Sequence, residues 1–281
     1  MSFDRFFSRR LNNLVAAMSA LLFAGCMSSL SGDRTSDKRA KPLQQAGHTI
    51  PVLSIKVLKS YPHDPDAFTQ GLEYFDGFLY ESTGEVGHSS VRKVELESGK
   101  VLQKEDVSPP HFGEGLTIFQ RRIYQLTWLT RIGFVYDLRT LRKLREFHNE
   151  GEGWGLTHDD SSLILSDGTN RLRYLNPETF ELERTLNVYA GSKAVTNLNE
   201  LERIGSDIYA NVWHSNRIAR IDSRSGEVEA WIDCSALASQ EQKEAEAVLN
   251  GIAFDSARRR FFVTGKHWAH VFEIQVEGNV F

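Results

Sequence analysis

A chain of 281 residues with 41% hydrophobic side chains can build one large domain or two ordinary ones. Its net charge is near −4, and its basic residues are scattered in short groups such as Arg121-Arg122 and Arg258-Arg259-Arg260, which suit solvated turns. A nucleic-acid partner is thereby excluded, because phosphate binding requires a concentrated basic face.

Residues 1–25 carry Arg5, Arg9 and Arg10, then the apolar run Leu14 to Phe23, then small residues. That order is the one found in signal peptides, and the run is too short for a permanent membrane span. Phe23-Ala24-Gly25-Cys26 resembles a bacterial lipobox, in which Cys26 becomes the lipidated first residue; secretion with a spare thiol is the alternative. The expectation is an exported, periplasmic protein, anchored to a bacterial membrane through Cys26. Residues 26–49 are polar, nearly free of large apolar side chains, and read as a disordered tether. Lipidation of Cys26 would leave Cys234 alone and the fold without a disulfide. Cys234 closes the apolar stretch Trp231-Ile232-Asp233 and reads as a small buried hydrophobe.

Residues 50–281 repeat. Five segments open on a polar or aromatic cluster and a Gly-Leu-like step: Phe68-Thr69-Gln70-Gly71-Leu72, Phe112-Gly113-Glu114-Gly115-Leu116, Gly153-Trp154-Gly155-Leu156, Leu198-Asn199-Glu200-Leu201 and Leu249-Asn250-Gly251-Ile252. Aligned on Gly71, Gly115, Gly155, Glu200 and Gly251, they stand 44, 40, 45 and 51 residues apart, which suits a four-stranded unit. A second strand rich in aromatic and β-branched residues follows each step, as in Arg122-Ile123-Tyr124-Gln125-Leu126. A strictly alternating third strand comes next, as in Arg217-Ile218-Ala219-Arg220-Ile221. Turn sequences such as Glu97-Ser98-Gly99-Lys100 and Asn176-Pro177-Glu178-Thr179 lead to a fourth.

The last segment has room for three strands only, while Leu53 to Leu58 forms an unassigned strand ahead of the first. If that strand completes the last unit, the chain is an all-β, five-bladed β-propeller whose ring is closed by its N-terminal strand. A β-sandwich is the competing arrangement. Ala236 to Leu249 reads as one helical insertion, which accounts for the interval of 51.

In a propeller the first strands line a central channel, so Gln70, Glu114, Trp154, Asn199 and Asn250 converge on one mouth. The ends of the second strands place Thr83, Trp128, Asp167, Trp213 and Lys266 beside them. Glu114 then lies among Phe112, Trp128, Trp154 and Trp213, where desolvation raises its pKa and suits it to shuttle a proton. Lys266, Asn199, Asn250 and Gln70 supply donors for a carbonyl or an amide. The pocket asks for a small polar substrate carrying an amide.

These clusters, with Ala210-Asn211-Val212-Trp213 and Thr264-Gly265-Lys266, resemble the glutaminyl cyclase family of the plant and bacterial type from about Ile50 to Val276. The resemblance implies a five-bladed propeller that converts N-terminal glutamine of peptides and proteins to pyroglutamate with loss of ammonia, using no metal or other cofactor. It implies Glu114 as general acid and base, and Phe68, Gln70, Phe112, Trp128, Trp154, Asn199, Trp213 and Lys266 as pocket residues. On this reading Asn199 and Lys266 polarise the γ-amide or hold the oxyanion, Gln70 holds the peptide backbone and the aromatic side chains enclose the substrate. A monomer is expected.

Two other readings stand beside it. A calcium-dependent lactonase-type propeller would use Glu114, Asn199, Asn250 and Asp167 as oxygen ligands, against which Lys266 places an ammonium in the same mouth. A non-catalytic scaffold propeller would bind through its loops or blade edges.

Overall fold

The computed structural model describes residues 49–278, so the signal segment, Cys26 and all of the tether but Thr49 lie outside the described residues. Twenty of the strands make five antiparallel four-stranded blades. Blade one is β3 (Thr69–Phe75), β4 (Phe78–Thr83), β5 (Ser90–Glu95) and β6 (Val101–Asp106). Blade two is β7 (Gly113–Phe119), β8 (Arg122–Thr127), β9 (Ile132–Asp137) and β10 (Lys143–His148). Blade three is β11 (Leu156–His158), β12 (Leu163–Leu165), β13 (Arg171–Leu175) and β14 (Leu182–Asn187). A small hairpin, β15 (Tyr189–Ala190) with β16 (Lys193–Ala194), precedes blade four, which is β17 (Leu198–Ile204), β18 (Asp207–Val212), β19 (Arg217–Asp222) and β20 (Val228–Asp233). Blade five holds β21 (Leu249–Asp255), β22 (Arg260–Gly265) and β23 (His270–Val276), with β2 (Ile55–Pro62) as its outer strand.

The ring closes because each innermost strand touches the next: β3 on β7, β7 on β11, β11 on β17, β17 on β21, and β21 back on β3. Between neighbouring blades lie five separate apolar cores. Tyr80, Leu116 and Phe134 belong to the core between blades one and two, and Tyr61, Leu72 and Phe262 to the one between blades five and one. This is sheet-on-sheet packing repeated around an axis, and it explains the two-residue alternation of the third strands.

The N-terminal strand is not the single element expected from Leu53 to Leu58. Leu53 pairs with Ile232 as part of β1 (Val52–Leu53), which adds a fifth, parallel strand to blade four, while β2 runs antiparallel to β23. The chain direction requires this. β2 occupies the fourth-strand place of blade five, all fourth strands run the same way, and its upstream extension therefore meets the edge of β20 in parallel. Ser54 makes the break, its carbonyl accepting from the Glu277 N–H.

The insertion is helical only as α1 (Ser235–Glu241); residues 242–248 are irregular and Leu249 already belongs to β21. The helix stops where Glu241, buried, turns its carboxylate to the Ala269 N–H and to His270 Nδ1, both at 2.8 Å. Cys234 is buried beside Leu237 and Ala238 in the core between blades four and five. Burial pushes its thiol up to about 12, as expected of a small hydrophobe.

Down the axis the inner strands are laced by side chains. Glu73 accepts from the Ile118 N–H at 2.6 Å and Thr117 Oγ1 at 2.9 Å, and Glu202 from the Phe254 N–H at 3.0 Å. Glu200 spans furthest, one oxygen on the Leu72 N–H (3.2 Å) and the other on the Ile252 N–H (2.9 Å), so a blade-four residue ties blades one and five. Burial raises the pKa of all three carboxyls.

Candidate active site

The Gly-Leu step has a steric cause. A Cβ on Gly115 would sit 2.6 Å from the Trp154 carbonyl oxygen, and one on Gly71 or Gly155 would strike the backbone of Leu116 or Asn199. The inner strands press backbone to backbone at these points. In blade four Glu200 takes the glycine's place, and its carboxylate fills the axis.

Directly before that step, four of the five inner strands slip register against their second strand. The slip falls between Thr69 and Gly71, Gly113 and Leu116, Leu198 and Leu201, and Leu249 and Ile252. Each slip is a β-bulge, which bends the strand and re-aims the side chain it carries. The bulges hold Gln70, Glu114, Asn199 and Asn250, all buried. Side chains from the preceding blade support them. Ser82 donates to the Glu114 carbonyl, Ser166 to the Asn199 carbonyl at 2.7 Å, and Asn211 accepts from the Gly251 N–H at 2.9 Å.

On this floor Asn250 Nδ2 donates to the Thr69 carbonyl (2.9 Å) and to Gln70 Oε1 (3.1 Å), and Gln70 Nε2 donates to Glu114 Oε1 at 3.1 Å. Gln70 is thus engaged with Glu114 and Asn250, orienting the carboxyl. Glu114 is 5% exposed. Burial raises its pKa well above the ordinary carboxyl value, Lys266 works against that rise, and the charge of Glu152 adds to it. Lys266 is itself buried, with Nζ 4.5 Å from the centre of the Phe68 ring, and desolvation lowers its pKa although Glu114 opposes the shift.

Above the floor stands an aromatic wall of half-buried side chains. His267, Phe68, Phe112 and Trp128 follow one another edge to face at centroid separations of 5.3, 5.7 and 6.0 Å. Trp154 and Trp213 continue it at 5.4 Å, and Trp213 lies 3.9 Å from the His214 ring. Between the two groups, Glu152 Oε2 accepts from both Trp128 Nε1 (2.7 Å) and Trp154 Nε1 (3.0 Å).

Among the described residues, three buried polar atoms of this mouth have no hydrogen-bond partner, Asn199 Oδ1, Asn250 Oδ1 and Trp213 Nε1, and beneath them Asn211 Nδ2 is likewise unpartnered. Buried polar atoms are normally paired, so two free acceptors and one free donor describe the ligand that belongs there. The orientation of the Asn250 amide is set by the two bonds its nitrogen makes.

The structure therefore brings into one mouth Glu114, Gln70, Asn250, Asn199, Lys266, Phe68, Phe112, Trp128, Trp154 and Trp213. It turns Asp167 aside, toward Arg173 (3.5 Å) and Thr169 (2.5 Å), and engages Thr83 with Ser90 at 2.8 Å. Glu152 is the member that reasoning from the strand steps passed over as a functional group. The available signal was its place in the repeat, where a carboxylate stands at the position that Phe68 and Phe112 hold in blades one and two.

A buried carboxyl, a buried amine and amide side chains inside an aromatic wall make this propeller mouth the candidate active site of an enzyme. The family model described as glutamine cyclotransferase matches residues 24–276, and the chain belongs to that family. It is 46% identical over 228 residues to glutaminyl-peptide cyclotransferase of Arabidopsis thaliana, a match covering 79% of this chain and 71% of the relative. The crystal structure of Myxococcus xanthus glutaminyl cyclase superposes with a TM-score of 0.77 at 37% identity, covering 80% of this chain and 98% of that one.

Proposed function

We propose that the protein is a glutaminyl-peptide cyclotransferase, converting N-terminal glutamine of peptides to pyroglutamate and ammonia, with Glu114 as general acid and base. The observation that carries the reading is the set of unpartnered polar atoms on residues of the same mouth as Glu114. A primary carboxamide offers two N–H donors and one carbonyl acceptor, the complement of Asn199 Oδ1, Asn250 Oδ1 and Trp213 Nε1.

The α-amine nitrogen attacks the carbonyl carbon of the glutamine side chain, forming the ring C–N bond. The bond from that carbon to the amide nitrogen then breaks. The amine loses a proton and the departing nitrogen gains one, so a single carboxyl that receives the first and delivers the second completes the balance. Burial raises the pKa of this carboxyl, which brings its basicity closer to that of the nitrogen groups it trades protons with. Lys266 is suited to hold negative charge on the carbonyl oxygen, in a water-poor site where such contacts gain strength. Gln70 aims Glu114 at the amine, and the aromatic wall confines the side chain in the folded shape that cyclisation needs.

Ammonia release from an H-Gln peptide, compared with its N-acetylated counterpart, tests the reading. Release from the free-amine peptide alone is expected. Equal release from both would mean a deamidase, and release from neither a non-catalytic propeller. Export and lipid anchoring through Cys26 are part of the proposal, supported by the basic, apolar and small-residue order before that cysteine. Cys26→Ser is expected to move the protein from the membrane to the soluble fraction of the producing cell.

A further inference from the structure

Two tryptophans of the aromatic wall come from different blades and share one anchor. Trp128 follows β8 in blade two, and Trp154 precedes β11 in blade three. Both indole N–H groups end on the same oxygen of Glu152. The segment that delivers Glu152 is itself pinned. Arg173, on β13, donates to the Glu152 carbonyl at 3.0 Å and to the Glu150 carbonyl, and faces Asp167 on its other side.

We propose that Glu152 is a positioning residue of the active site: its carboxylate fastens Trp128 and Trp154 into one wall across the blade boundary. The inference rests on the cyclotransferase reading for its kinetic consequences and on geometry alone for the fastening. An ionised acceptor makes hydrogen bonds roughly twice as strong as a neutral one, so one carboxylate holds two indoles where an amide would hold them weakly. The charged groups acting on Glu114 are Lys266, which favours its ionised form, and Glu152, which disfavours it. Arg173 and Asp167 stand behind Glu152 as a pair.

The test uses the full chain with ¹⁵N-labelled tryptophan, as wild type, Glu152→Gln and Glu152→Ala. In Glu152→Ala the indole N–H resonances of Trp128 and Trp154 are expected to move. That of Trp268, which donates to the Ala247 carbonyl at 3.0 Å in the core, should stay. With a glutaminyl dipeptide as substrate, kcat/KM of this variant should fall about tenfold, mainly through KM, because the wall holds ground state and transition state alike. In Glu152→Gln the two indole resonances should shift less, and the acid limb of the pH profile governed by Glu114 should move to lower pH, a like charge having been removed.

Unmoved indole resonances together with an unchanged kcat/KM in Glu152→Ala overturn the proposal. If that variant does not fold, Glu152→Gln decides, and unmoved resonances with an unmoved acid limb overturn it equally. A wild-type protein that cyclises nothing would sink the functional reading while leaving the indole shifts to decide the role of Glu152.

Discussion

The same inner strands carry carboxylates at two levels, and the two levels differ in what claims their oxygens. Below the mouth, Glu200 gives each oxygen to a backbone N–H of a different blade, and Glu73 accepts from an N–H and a hydroxyl. At the mouth, Glu114 receives a side-chain amide bond from Gln70. Burial raises the pKa in both places, so a perturbed carboxyl does not by itself mark the reactive one. The distinction lies in the partners. Oxygens committed to backbone hold the ring together, and a carboxyl held by a side-chain amide at the mouth can still meet a ligand.

Three measurements would break or sharpen that contrast. The largest effect is expected from Glu114→Gln, which keeps shape and removes the proton carrier. Its kcat should fall about 10²- to 10⁴-fold with the melting temperature little changed, and a variant keeping more than a tenth of the wild-type rate would end the central role given to Glu114. Glu200→Gln, the matching change one level down, should do the reverse. An amide offers one acceptor where two backbone N–H groups need one each, so stability should drop by about 1–3 kcal/mol, measured by denaturant unfolding, with kcat within about threefold of wild type.

The smallest effect, taken per pH unit, concerns pH. Burial raises the Glu73 carboxyl to about 7, against about 4.3 when unfolded. The folded protein therefore keeps this proton while the unfolded chain releases it. The stabilisation is complete below about pH 4.3, declines as pH rises, and is lost once pH has passed through about 7. Glu73→Gln should flatten that decline, which for one group is at most about 1.4 kcal/mol per pH unit. An unfolding series from pH 5 to 8 that gave parallel slopes for the two proteins would mean that Glu73 is already ionised in the fold.

Much of this architecture is legible in the chain, because a propeller writes its period into the spacing of Gly71, Gly115, Gly155, Glu200 and Gly251, and strand alternation marks the blades between them. Gln70, Glu114, Asn199 and Asn250 are found from the same spacing, since equivalent places on inner strands share an axis. What escapes is whatever depends on contact between blades. The register slips that aim those four side chains follow from strand pairing, and no residue type announces them. Glu200 looks like a substitute for glycine until its two oxygens are seen to meet Leu72 and Ile252, whose places in sequence lie 128 and 52 residues away. Glu152 is hidden in the same way, its two partners coming from different blades. The division of the N-terminal strand between blades four and five follows from strand direction around the ring, which a count of strands does not contain.

That divided strand also imposes an order of assembly. During synthesis Val52 to Pro62 emerge before any blade exists, yet β1 must wait for Trp231 and Ile232, and β2 for the stretch from His270 to Val276. The first segment of the propeller to be made is among the last to find its partners. Closing so long a loop is slow relative to local pairing. Until it closes, β20 and β23 each offer an open edge on which a second chain could settle, so crowded nascent chains would be exposed to swapping this strand between neighbours.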